Sequence, residues 1–110
     1  MADLDLDDIQ GLIARGYPDL SAARYVLLHI DNATTAGRWL GGLADQVTPG
    51  PAKPADIALN VAVTAAGLKK LGLPEHVLAL FSNEFTAGMS TPHRRRILGD
   101  LGANAPVDPT

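Results

Sequence analysis

Residues 57–74, IALNVAVTAAGLKKLGLP, carry the strongest fold signal in the chain. In the first half Ile57, Leu59, Val61 and Val63 alternate with Ala58, Asn60, Ala62 and Thr64. A period of two, rich in β-branched residues, is the pattern of a strand with one well-filled apolar face. The period changes at Thr64. Ala65, Leu68 and Leu71 fall at helical spacing, Gly72 stands where a helix closes, and Pro74 stands where the next can open. The stretch predicts a strand that feeds directly into a short helix.

Upstream, residues 23–30 (ARYVLLHI) predict a second strand, apolar on both faces apart from Arg24 and His29, as in the interior of a sheet. Asp31 or Asn32 can cap the helix that follows, in which Ala36, Leu40, Leu43, Ala44 and Val47 share one face. Trp39 borders that face and is expected to help pack it onto a sheet. Residues 48–54 (TPGPAKP) end the helix in a proline-rich loop. Residues 23–64 thus read strand, helix, strand, with a right-handed crossover if the strands run parallel in one sheet. Residues 4–15 (LDLDDIQGLIAR) predict a short amphipathic helix or docking arm capped by Asp3 or Asp5. Gly11 inside it costs about 1 kcal/mol against alanine. A turn follows at Tyr17-Pro18-Asp19. Beyond Pro74 three apolar groups predict short helices: Val77, Leu78 and Phe81; then Phe85 and Met89; then residues 93–98, closed by Gly99. Residues 103–110 (ANAPVDPT) have the composition of a tail or linker.

The 110 residues suffice for one small domain, and 46% hydrophobic with 19% charged residues is globular composition. A net charge of -3 offers no broad basic face for nucleic acid. The lack of cysteine excludes a disulfide framework, a thiolate metal site and a cysteine nucleophile. The acidic opening MADLDLDD resembles no signal peptide, transit peptide or twin-arginine leader, and no apolar run approaches a bilayer span. A soluble, cytoplasmic chain without membrane or nucleic-acid partners is expected.

Candidate chemistry is thin. His29, His76 and His93 stand far apart, with no metal-ligand spacing. His29 is expected as a packed or hydrogen-bonded sheet residue, and His76 as a solvated residue in a first helical turn. His93-Arg94-Arg95-Arg96 is the only basic run; a solvated helix face is the stronger reading and an anion site the weaker. Glu84 and His93 could suggest an acid–base pair. Gly99-Asp100-Leu101-Gly102 lacks the flanking strand and helix of a phosphate loop, so a turn with local backbone bonds to Asp100 is expected. Ser21, Ser82 and Ser90 lack the glycine-framed elbow of hydrolases.

Several pieces in order carry a resemblance. Asp8-Ile9-Gln10-Gly11, Arg15-Gly16-Tyr17, Ala58-Leu59-Asn60-Val61-Ala62, Gly67-Leu68 and Leu71-Gly72-Leu73-Pro74 resemble the N-terminal part of dye-decolorising (DyP-type) haem peroxidases. Phe81, Glu84-Phe85, Gly88-Met89, Leu98-Gly99-Asp100, Gly102 and Pro106 follow in the same order, so that the resemblance spans residues 5–106. It implies an α+β, ferredoxin-like domain. It also implies a haem b enzyme that reduces hydrogen peroxide through a ferryl haem and oxidises dyes, phenols and similar donors. In that family a proximal histidine in the second half holds the iron, and a distal aspartate in Gly-x-x-Asp-Gly, assisted by an arginine, cleaves peroxide.

The chain contains no Gly-x-x-Asp-Gly, so Asp100 does not inherit the distal role, and no histidine matches the proximal segment. No catalytic, cofactor-binding or metal residue is therefore assigned within it, no haem is expected to bind this chain alone, and Asn60 and His29 are expected to be structural. The resulting organisation is an N-terminal arm or helix at 1–22, a partial ferredoxin-like α+β domain at 23–102, and a tail or linker at 103–110. Two strands without all their neighbours expose backbone groups that recruit other chains. Marginal stability is expected, or completion by a C-terminal remainder of the peroxidase or by self-association through exposed strand edges. The rival reading is a non-catalytic ferredoxin-like scaffold used for dimerisation or partner binding.

Overall fold

The Thr48–Gly50 turn is the point where three separate stretches of backbone meet. In the computed structural model, which describes residues 3–106, the Thr48 carbonyl accepts from the Gly11 amide at 2.9 Å. The Thr48 amide donates to the Leu59 carbonyl at 2.9 Å, and the Thr48 hydroxyl accepts from the Leu59 amide at 3.0 Å. Gly50 donates to the carbonyls of both Leu6 and Ile9. Gln10 and Pro49 form an isolated antiparallel bridge.

Six α-helices are described: α1 Gly11–Ala14, α2 Ala33–Leu43, α3 Ala65–Leu71, α4 Glu75–Leu78, α5 Asn83–Ala87 and α6 Pro92–Leu98. Single 3-10 turns lie at Leu6–Asp8, Ala44–Gln46 and Gly102–Asn104. Helix makes up 45% of the described residues, and there is no strand among them. The expected α+β, ferredoxin-like sheet is therefore not present, and with it falls the ferredoxin-like description of residues 23–102. The reason is physical. A period of two reports which way side chains point along a straight backbone, whereas a sheet also needs a neighbouring backbone to pair with. Residues 20–30 and 57–64 do run without turn or bend. The first forms no ladder, and the second meets a turn and a side chain instead of a strand.

The helices obey their caps. Asn32 accepts from the Thr35 amide to open α2, and Thr64, Ser82 and Thr91 do the same for α3, α5 and α6. Gly72 (φ 105°) and Gly99 (φ 76°) close α3 and α6 in the left-handed region. The arm expected as one helix is two short ones. Asp5 caps the first turn, the backbone extends at Ile9 and Gln10, and α1 begins at Gly11. Met89, expected to pair with Phe85 on a helix, lies past the end of α5 at Gly88 and is exposed. Of the tail, residues 103–106 are described, with Gly102–Asn104 helical, and residues 107–110 fall outside the described set.

The described residues divide into two compact units, Met1–Ala62 and Val63–Thr110. In the first, Ala36, Leu40, Leu43 and Val47 form a half-buried face while Trp39, expected against a sheet, is half-exposed. In the second, α3 contacts both α4 and α5, and the Phe81 and Phe85 rings lie 5.0 Å apart. No hydrophobic side chain is fully buried among the described residues; Gly11 and Gly50 are the buried positions. Order in the first unit therefore rests on backbone and polar contacts more than on an apolar core. Among the described residues no helix is long and apolar enough to cross a membrane.

Candidate functional site

The densest set of polar contacts gathers Gln10, Tyr17, Thr48 and Asn60, all partly buried. The Gln10 side chain lies along the backbone of Val61. Its Nε2 donates to the Val61 carbonyl and its Oε1 accepts from the Val61 amide, both at 2.7 Å. One side-chain amide thereby occupies the place that a strand neighbour would take. The Tyr17 hydroxyl donates to Asn60 Oδ1 at 2.9 Å, and the Leu12 amide donates to the same oxygen at 3.4 Å. Together with Thr48 this forms a clamp on one edge of residues 59–61.

The clamp is a positioning device. It contains neither an acid–base pair nor a nucleophile with an activating base, and its short hydrogen bonds are spent on holding backbone. Apart from the resemblance, the sequence marks Gln10 as an arm residue, Tyr17 as a turn residue, Asn60 as a structural strand residue and Thr48 as the start of a loop. The one local signal is that Asn60 interrupts an otherwise apolar run, since a polar group there needs a partner.

The sequence candidates do not converge. His29 is exposed rather than packed in a sheet, with its Nδ1 2.9 Å from the Asp31 carboxylate. His76 and His93 are exposed on α4 and α6. Glu84 pairs with Arg94 at 3.0 Å, not with His93. Its own backbone amide first, and then the Arg94 guanidinium, hold the Glu84 carboxyl below the usual carboxylate range. Arg95 Nε donates to the Ser90 carbonyl at 2.7 Å. Two arginines of the basic run thus hold the α5–α6 region together. The Ser82 hydroxyl is spent on its cap. The Gly99-Asp100 turn closes α6, with both amides directed at the Arg95 carbonyl.

A shallow depression of about 390 Å³ in the second unit is lined by Ala65, Lys69, Glu75, Leu78 and Thr86 among others. Its charged groups satisfy each other: Lys69 Nζ and the Glu75 carboxylate are 2.9 Å apart. The hydrogen bond from Lys69, then its charge, lowers the Glu75 pKa.

Haem requires an axial donor in an enclosed cleft with positioned distal groups. The three histidines lie at the surface, and the described residues contain no group of three or more acidic or histidine side chains able to hold a metal. The exposed histidines of these residues do not supply an enclosed axial donor. No family model, curated protein or solved structure matches the chain.

Proposed function

We propose that the chain is the N-terminal portion of a DyP-type haem peroxidase, serving the peroxide-dependent oxidation of dyes, phenols or similar donors as scaffold rather than as haem ligand. The observation that supports this reading is the clamp. Gln10, Tyr17 and Asn60 come from three separate pieces of the resemblance and meet in one hydrogen-bonded cluster. Residues that matter to a common framework are expected to touch in this way. On this reading the proximal histidine and the distal aspartate lie outside these residues.

The test is a haemin titration followed by Soret spectroscopy and dye oxidation with peroxide. It is made on the purified 110 residues and on whatever longer product the coding sequence specifies. Haem binding and turnover by the longer chain alone support the reading. A longer product with no Gly-x-x-Asp-Gly and no haem, or a natural stop after Thr110, overturns it in favour of a partner-binding scaffold. Saturable 1:1 binding with turnover by the 110 residues overturns the assignment of the ligand to another segment and directs substitution to His29, His76 and His93.

A further inference from the structure

In an unbent run of residues, neighbours present their backbone groups to opposite edges. Leu59 and Val61 have theirs filled by Thr48 and Gln10. The backbone groups of Ala58, Asn60 and Ala62 have no hydrogen-bond partner among the described residues, and strand-like alternation would present them on the opposite edge. Residues 21–30 of the same unit form no backbone hydrogen bond among the described residues either. Apart from Ser21, Arg24 and His29 they are apolar, and residues 21–29 are exposed: Tyr25 is 91% and Leu27 96% accessible, and Ile57 beside the open edge is 83% accessible. One chain thus carries an open edge and an unpaired straight segment that could fill it.

We propose that two copies of this chain associate reciprocally, residues 23–30 of each adding as a parallel strand to the 58–62 edge of the other. Charge sets the register. Arg24 and Asp56 are exposed and without an ion pair among the described residues, and placing them abreast sets Tyr25 beside Ile57 and Leu27 beside Leu59. The smaller Ala58 then lies beside Val26. Each copy gives one segment and one edge, so a two-fold axis closes the assembly and leaves no propagating end. Pairing brings exposed Tyr25 and Leu27 of one copy alongside Ile57 and Leu59 of the other, which takes part of this apolar surface out of water. Main-chain bonding supplies the affinity and the side-chain register the specificity, as in strand addition generally. The inference does not depend on the peroxidase reading.

The experiment is sedimentation equilibrium of the 110-residue chain over micromolar to hundreds-of-micromolar concentration, with charge reversals. The unsubstituted chain is expected to form dimers, and Arg24→Glu or Asp56→Arg alone to weaken dimerisation about tenfold. Mixing the two variants restores it, because each contact in the mixed dimer again joins opposite charges. A chain that stays monomeric throughout overturns the proposal. So does a dimer indifferent to both substitutions, which would place the interface elsewhere. Restoration only when both substitutions lie in the same chain, with amide protection of residues 23–30 in a monomer, overturns it in favour of pairing within one molecule.

Discussion

The side-chain amide of Gln10 grips both backbone groups of Val61 at 2.7 Å, so a residue 51 positions away in sequence does the work of a strand neighbour. Gln10→Ala leaves the Val61 amide and carbonyl without those partners in a partly buried place. A loss of about 1–2 kcal/mol is expected in urea unfolding, toward the lower end for groups that water can reach in part. The more direct readout is hydrogen exchange. The Val61 amide is slow in the unsubstituted chain and fast in the variant, whereas the Phe85 amide, capped by Ser82 in the other unit, is unchanged. Equal exchange at Val61 in both proteins would show that the clamp does not protect that edge.

Gly50 and Gly42 stand in surroundings that give substitution by alanine opposite expected signs. A Cβ on Gly50 would lie 2.8 Å from the Leu6 carbonyl oxygen and 3.0 Å from the Ala14 Cβ. The Leu6 carbonyl also accepts the Gly50 amide, so it cannot move away without losing that bond. Gly50→Ala is expected to cost about 1–3 kcal/mol. Gly42 lies inside α2 with nothing within 4 Å of its Cβ position. Gly42→Ala there should stabilise by about 0.5–1 kcal/mol, by restricting the unfolded chain and favouring helix. Parallel thermal melts decide the matter, and a stabilising Gly50→Ala would remove the case for close backbone packing at the turn.

The helices were readable because their instructions are local. Asn32, Thr64 and Pro74, with the glycines at 72 and 99, each act within one turn of their own position, and the structure puts a cap or a helix boundary at each. Residues 57–64, expected as a strand, run without turn or bend but form none. What fills the edge of a straight segment is not a local property, and alternation in Ile57, Leu59 and Val61 is silent on whether the neighbour is a strand, a turn or an amide. The candidate site was hidden by the same rule. Gln10 and Thr48 look like an arm residue and a loop residue until the chain brings both onto residues 59–61. Gly11 shows the reversal most plainly: a helix-weakening residue in sequence, it is the buried start of α1, and a Cβ there would sit 2.8 Å from the Tyr17 hydroxyl.

The Arg94–Glu84 pair makes a pH prediction whose sign follows from its cause. Glu84 is held below the usual carboxylate range chiefly by its own backbone amide and next by the Arg94 guanidinium 3.0 Å away. A carboxyl with a lowered folded-state pKa contributes stability that is present above its unfolded pKa and is lost as pH falls through the folded value. The second unit should therefore loosen on acidification through the carboxylate range and show no such change near neutrality. Because Glu84 is solvated and salt screens it, the effect should be small and should shrink further in high salt. Carboxyl-carbon NMR of Glu84 against pH is the measurement. Arg94→Ala should raise the midpoint toward the ordinary value without reaching it, since the hydrogen bond from Glu84's own backbone amide survives the substitution. Full recovery would assign the whole shift to the arginine, and no movement would show that the ion pair does not persist in solution.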